Sequence, residues 1–244
     1  LLYSEKPAVA AGMLTQNIVR AAPVVRNEQI IKNEKKVRAI VTISGNANAC
    51  TGEQGLLDNQ KMADVYAQML QVSSEEVLTA ATGIIGKQMP INIIEQGIQK
   101  ITPQLKRDRQ SAKEAAAGII TTDTFLKEVA VELEIGGKTV TIGAMAKGSG
   151  MIHPNMATVL AFIATDAVIS QQLLQKALSD AVEITYNMIS VDGAVSTNDM
   201  ALLLANGMAE NEPFTEDSQD YKKFKDAILY INQKLAIQVI HDGE

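Results

Sequence analysis

Tryptophan is absent from the 244 residues, cysteine occurs once and histidine twice. The lone Cys50 excludes an internal disulfide framework and suits a reducing compartment such as the cytoplasm. Two histidines, His153 and His241, are too few for a His-rich metal site. Aromatic residues make up only 4%, so stacking platforms for bases or sugars would have little material. Positive charge is not in excess: 22 Lys+Arg stand against 28 Asp+Glu, a formal net charge of -6. A surface that neutralises phosphates is therefore not expected, and the charge argues against nucleic acid as a partner. The apolar runs, such as Val159 to Ala164 and Met200 to Ala205, fall far short of the roughly 20 residues a membrane-spanning helix needs. No charged leader with a following apolar stretch opens the sequence, so no targeting segment is expected in it.

What is present is ordinary globular material, 46% hydrophobic and 20% charged. Such a length makes one large or two small domains, and no repeat, low-complexity tract or linker divides it. In the first 50 residues, Ala8 to Met13 and Val37 to Ile43 read as strands separated by polar or Pro-marked breaks such as Ala22-Pro23. Leu57, Met62, Val65, Tyr66 and Met69 fall on one face of a helix over 56–70. Ser73 with Glu76 forms a possible capping box before a strand ending at Thr82. Residues 90–102 read as a helix opened by Pro90, and the charged stretch Lys106 to Glu114 as a solvated loop. Val129, Val131, Leu133 and Ile135 alternate, followed by Gly136-Gly137 and then Val140 and Ile142, the pattern of a hairpin. Thr158 to Ala164 suits a strand covered on both faces. Helices over about 170–189 and 217–235 flank a strand at 200–205. Strands and helices interleave with at least one hairpin, so the expected fold class is α/β, a layered sandwich with mixed, partly antiparallel sheets.

Several segments could carry chemistry. Gly83-Ile84-Ile85-Gly86-Lys87-Gln88 resembles a phosphate loop but has the wrong spacing and no Ser or Thr after the lysine. It reads as a Gly-rich turn after a strand, whose backbone N–H groups could still hold an oxyanion. Cys50 is a possible nucleophile without a nearby base, and is more simply a small buried hydrophobe. Asp192-Gly193 and Ser196-Thr197-Asn198-Asp199 form a dense polar segment with ordinary turn chemistry. The most unusual stretch is Lys147-Gly148-Ser149-Gly150-Met151-Ile152-His153-Pro154-Asn155-Met156-Ala157-Thr158. It delivers a threonine, alone merely a good strand former, to the head of an apolar strand.

Those twelve residues, with Val159 and Leu160, closely resemble the cleavage and nucleophile motif of the ornithine acetyltransferases, or glutamate N-acetyltransferases, of arginine biosynthesis. Other segments agree in order: Tyr3-Ser4-Glu5-Lys6-Pro7, Ser44 to Gly52, Thr82-Gly83-Ile84-Ile85-Gly86, Thr121-Thr122-Asp123-Thr124, Ser196 to Asp199 and Asp242-Gly243-Glu244. The resemblance spans essentially all 244 residues. It departs after Asp192-Gly193, where the family's acidic and hydroxyl residues are here Ala194-Val195.

The resemblance implies an N-terminal-nucleophile-like fold of the DmpA/ArgJ type. It makes residues 1–244 a single catalytic region, to which the family adds a C-terminal part with further substrate contacts. It also implies self-cleavage between Ala157 and Thr158, into 1–157 and 158–244 onward. A Thr hydroxyl can attack its own preceding carbonyl and shift the acyl group from N to O, leaving an ester that water opens. The freed α-amine, with a reference pKa of about 7.7 to 8.0, is then a base carried by the nucleophile itself. Branching limits χ1 of Thr158 and helps to hold its oxygen.

The implied reaction is a ping-pong transfer of acetyl from N2-acetyl-L-ornithine to L-glutamate through acyl-Thr158, with acetyl-CoA as a further donor in some members. Thr82 and Gly83 would form the oxyanion hole. Thr121 (chosen over Thr122), Lys147, Thr158 and Glu244 would bind substrate, with Lys147 suited to the carboxylate and Glu244 to a cationic group. No metal and no organic cofactor are implied, and the assembly would be a cytoplasmic heterotetramer of two cleaved chains. Two other readings share these residues. One is a self-cleaving amidohydrolase or aminopeptidase that passes the acyl group to water; the other is a non-catalytic paralogue that keeps the fold.

Overall fold

Halfway along β1 (Leu2–Leu14) the strand exchanges one hydrogen-bonding partner for another. Its first half pairs antiparallel with β2 (Val37–Asn46), Tyr3 opposite Ala39 and Ala8 opposite Val37, with the register shifting in between. Its second half pairs antiparallel with β7 (Met200–Ala205), from Val9 opposite Ala205 to Leu14 opposite Met200. Pro7, which has no N–H to give to a ladder, lies within the shift, where a strand bends most readily. The structure, a computed structural model, describes residues 1–153 and 159–243.

The remaining strands are β3 (Val77–Ile84), β4 (Lys127–Ile135), β5 (Lys138–Lys147) and β6 (Leu160–Thr165). The order is β3-β2-β1-β7-β6-β5-β4, parallel at β2/β3 and β6/β7 and antiparallel elsewhere. In a flat sheet β2 and β4 would stand five strand spacings apart, about 24 Å. Instead Arg38 and Ile40 of β2 line the same cavity of about 540 Å³ as Val129 and Ala130 of β4. The sheet therefore folds over at β1 into two packed layers. One holds β3, β2 and the first half of β1, the other the second half of β1 with β7, β6, β5 and β4.

Alternation along the strands assigns each face. Ile40 and Leu78 of the first layer join Met145, Phe162, Leu202 and Leu204 of the second in the core between them. Ala39, Val41 and Val77 turn outward onto Met62 and Tyr66 of α2 (Gly52–Leu70) and Ile98 of α3 (Ile91–Ile101). Ala201, Leu203 and Ile142 turn the other way onto Leu174 and Leu178 of α5 (Gln171–Glu183) and Phe224, Ile228 and Leu235 of α6 (Gln219–His241). The expected layered sandwich is thus a helix–sheet–sheet–helix stack of mixed strands. No helix among the described residues is long and apolar enough to cross a membrane.

Two helices depart from the sequence reading. Residues 22–32 form α1 (Ala22–Lys32), and Pro23 starts it rather than breaking the chain, because a first-turn N–H has no intrahelical partner to lose. The buried Asn27 of α1 bonds the backbone of Thr79 in both directions and reaches the Met200 sulfur, so the helix links the two layers. Within the stretch read as a solvated loop, α4 (Arg109–Ala117) begins where the Asp108 carboxylate accepts the Ser111 N–H at 2.7 Å. Its run of Ala, Lys and Glu favours a helix that buries only Ala116. Elsewhere α5 stops at Glu183, short of residue 189. By contrast, α6 continues to His241 because its buried positions recur through Leu235, Ala236 and Val239. The strand expected from Thr158 begins at Leu160 within the described residues, and Thr158 itself lies outside them.

Phe224 is fully buried between α6 and the second layer, 5.3 Å from the Phe214 ring. Phe224→Ala is expected to lower stability by about 3–5 kcal/mol in urea unfolding. A loss under about 1 kcal/mol would show that this helix is not anchored there.

Candidate active site where the strand ends meet

The end of β3 is held against the end of β2 more closely than side chains allow. Gly83 has φ +132°, and a Cβ there would stand 2.3 Å from the Gly45 carbonyl carbon and 2.6 Å from the Asn46 nitrogen. Only glycine fits, on both counts. The following segment wraps round this junction. Ala47 N–H donates to Ile84 O at 3.0 Å, Gly86 N–H to Ala49 O at 2.9 Å, and the Asn46 amide to Lys87 O at 3.0 Å. Thr82, beside Gly83, is buried. Cys50 corrects an expectation: it is exposed rather than a buried hydrophobe, because its left-handed backbone (φ +56°) turns it out of the wrap.

Asn198, just ahead of β7, ties this junction to the second layer. Its amide donates to Ala47 O at 2.6 Å and Ala81 O at 2.8 Å, while its backbone N–H donates to Ser196 Oγ in the turn the sequence suggested. Met200 N–H then bonds Val159 O at 3.0 Å, next to the head of β6. Thr82 and the chain entering β6 are thereby connected through one buried asparagine and one strand start.

Lys147, the last residue of β5, is buried and pairs in register with Leu160 of β6. The Ser149 hydroxyl lies 2.6 Å from that of Thr122. Thr121 takes part through its backbone, donating its N–H to Asp123 Oδ2 at 3.2 Å. Thr122 therefore meets the Lys147–Ser149 turn directly, whereas Thr121 is linked to it through Asp123, which also accepts the Gly148 N–H. The Ser44 hydroxyl reaches Gly118 O at 2.8 Å, bringing the end of β2 to the same segment. Ala157, Thr158 and Glu244 lie outside the described residues. The 540 Å³ cavity between the layers is lined by none of Thr82, Gly83, Thr121, Thr122 or Lys147.

Two groups of acidic residues had no assigned role in the sequence reading. The Asp192 carboxylate accepts the N–H groups of Met151 (2.5 Å), Ile152 (3.0 Å) and Ala194 (3.1 Å), gripping the chain just before residue 154. The bonds from Ala194 and Met151 hold its pKa below the ordinary value. Asp123 and Asp242 flank Lys127 in the interior. Burial pushes the Asp123 carboxyl up. The Lys127 ammonium, the N–H groups of Gly148 and Thr121 and the charge of Lys147 outweigh that and leave it lowered. In Asp242 burial is likewise outweighed by Lys127 and Thr124. The sequence signals were there, since Asp123 is four residues from Lys127 and Asp242 heads the closing Asp-Gly-Glu. Nothing local, however, indicated that they meet.

The family model described as "ArgJ family" matches residues 1–244. The arginine biosynthesis bifunctional protein ArgJ of Thermotoga neapolitana is 46% identical over 245 residues, covering 100% of this chain and 61% of that protein. This chain thus spans about three fifths of that relative's length. Among solved structures, ArgJ of Bacillus halodurans is 40% identical with a TM-score of 0.58, over 64% of this chain and 80% of that one. The ornithine acetyltransferase of Mycobacterium tuberculosis, solved with ornithine, is 29% identical with a TM-score of 0.55 over the same shares. An aminopeptidase of Ochrobactrum anthropi described as a variant of the Ntn hydrolase fold is 14% identical. It has a TM-score of 0.52 over 99% of this chain and 75% of that one, a likeness of fold alone.

Gly83→Ala should cost about 1–3 kcal/mol of stability, since its Cβ meets backbone that cannot swing aside; unchanged urea unfolding would refute the close approach. A second expectation concerns acid. Unfolded aspartates titrate near about 3.9, and the folded values of Asp123 and Asp242 are lower. The stability they contribute is complete above that pH and is lost as the pH falls through the folded values. Urea midpoints measured from about pH 5 to 2 should fall less steeply in Asp123→Asn/Asp242→Asn than in the wild type. Equal slopes would contradict the assignment.

Proposed function

This chain belongs to the ArgJ family, and on that premise we propose that it transfers acetyl from N2-acetyl-L-ornithine to L-glutamate through Thr158, after cutting itself between Ala157 and Thr158. The observation that carries the reading is the convergence of Thr82-Gly83, the Thr121-Thr122 pair, Lys147 and the start of β6 on the strand ends joined by Asn198, Ser44 and Asp123. These segments lie far apart in sequence, and their convergence supplies the residue types this chemistry needs.

In the first step the Thr158 hydroxyl adds to the Ala157 carbonyl carbon, and collapse breaks the C–N bond, leaving an ester and a free α-amine. Water then opens the ester. In the catalytic cycle that amine accepts the hydroxyl proton as the oxygen attacks the acetyl carbonyl of the donor. The bond to the ornithine nitrogen breaks, and the proton passes to the departing amine. The glutamate amine next attacks the acyl-Thr158 carbonyl and gives a proton to the α-amine, which passes it to the threonine oxygen as the ester C–O bond breaks. Each addition places negative charge on an oxygen, and donors at Thr82 and Gly83 would stabilise it by about 2.7–4 kcal/mol apiece. Lys147 holds the substrate carboxylate. Thr121 or Thr122 and Glu244 complete the contacts.

Cleavage between Ala157 and Thr158 would leave the pieces bound, because β5 pairs with β6 along six positions and β1 with β7 along six. The hydrolytic alternative rests on a likeness of fold to an aminopeptidase and is separated by product analysis: free acetate formed equally with and without glutamate would favour it.

Intact mass of the purified full chain should show two associated pieces, the second beginning at Thr158. Thr158→Ala should remain in one piece without activity. Wild-type protein that stays uncut and transfers acetyl at full rate would defeat the proposal. Lys147→Ala should raise KM; unchanged kinetics would remove this lysine from the site.

A further inference from the structure

The substrate contacts proposed above lie on three separate pieces of chain: the Thr121-Thr122 segment, the Lys147–Ser149 turn, and the Asp242-Gly243-Glu244 segment after α6. One ammonium group joins them. Lys127 is fully buried, with its Nζ 2.7 Å from Asp123 Oδ1 and 2.5 Å from Asp242 Oδ2, both carboxylates being 1% exposed or less. Asp123 Oδ1 also accepts the Gly148 N–H at 2.7 Å, and Oδ2 accepts that of Thr121. Asp242 accepts the Thr124 N–H on both oxygens, at 3.1 and 3.0 Å, and the Thr124 hydroxyl as well. The Lys127 Nζ lies 4.7 Å from the centre of the Phe125 ring.

A buried ion cluster is a poor device for stability alone, because desolvating the charges costs about as much as their attraction returns, and apolar residues of similar size often serve as well. What apolar residues could not do is direct carboxylate lone pairs at chosen backbone N–H groups. Here every such bond goes to a segment that carries a proposed substrate contact. Asp123 and Lys127 precede the Ala157–Thr158 bond in the chain, whereas Asp242 follows it.

We propose that Lys127, with Asp123 and Asp242, is a positioning group for the transfer site. It sets the Lys147–Gly148 peptide, Thr121 and the 242–243 segment in one frame, and after cleavage it clamps the end of α6 to the other piece. The role in catalysis rests on the acetyl-transfer reading; the clamp rests on the proposed cleavage alone.

The test uses the full chain and two variants, Lys127→Met, which removes the charge, and Asp242→Asn, which keeps the shape should the first fail to fold. In a variant that retains cooperative unfolding, hydrogen exchange should rise together in peptides covering 121–124, 147–152 and 239–243, while β6 and β7 keep their protection. KM for N2-acetyl-L-ornithine and for L-glutamate should each rise about tenfold with kcat changed less than about threefold, the split expected when binding geometry rather than chemistry is lost. Exchange confined to one of the three peptides, or KM values within about twofold of wild type in both variants, would overturn the proposal. Wild-type protein without acetyl transfer would remove the acetyl-transfer reading and its catalytic part, and the exchange pattern would still decide the clamp.

Discussion

Between Ala8 and Val9 the partner of β1 changes from β2 to β7, and almost everything else in the molecule follows from that exchange. A strand cannot keep two flat neighbours while its register slips past a proline, so the sheet bends and closes on itself. Closure buries small and medium side chains, many of them alanines, between the two layers, and leaves each outer face to a pair of helices. It also decides where the strand ends point. Strands five places apart in hydrogen-bonding order become neighbours across the core, and the ends of β2 and β3 come to rest beside the start of β7.

The meeting place is built with little side-chain bulk and much backbone. Gly83 against Gly45, the Asn198 amide on two carbonyls, and carboxylates on the N–H groups of residues 148, 151 and 152 all fix main chain rather than fill space. Such fixing suits acyl transfer, where oxyanion donors must be set before charge develops and reorganisation is what an enzyme avoids. With only two histidines the chain has few imidazole bases, and under the proposed scission an α-amine would supply one without adding a residue. The proposed scission would be tolerable because the β5/β6 and β1/β7 ladders hold the two parts of the chain together.

Much of the fold was legible in local pattern. The β4–β5 hairpin followed from alternation up to Gly136-Gly137, and β7 occupies 200–205 as its apolar run indicated. The capping box at Ser73 and Glu76 formed as its spacing suggested. Failures had local causes too. Pro23 looked like a break and starts a helix, whereas the charges of 106–114 hid a helix that needs only one buried alanine. The site divides differently. Its motifs could be matched to a family, but the reason for Gly83 lies in Gly45, a neighbour supplied by parallel pairing. Thr124 and Asp242 meet across 118 residues. No periodicity carries that information, because it arises only when β3 pairs with β2 and α6 packs on β4.

If the hydroxyl of Thr158 holds the acetyl group between donor and acceptor, rapid quenching of the enzyme with N2-acetyl-L-ornithine alone, followed by mass analysis of the pieces, will find one added acetyl group on the piece that begins at Thr158, located on that residue and lost on addition of L-glutamate. Acetyl transfer that proceeds with no covalent adduct, or with the adduct on Cys50, would contradict that role.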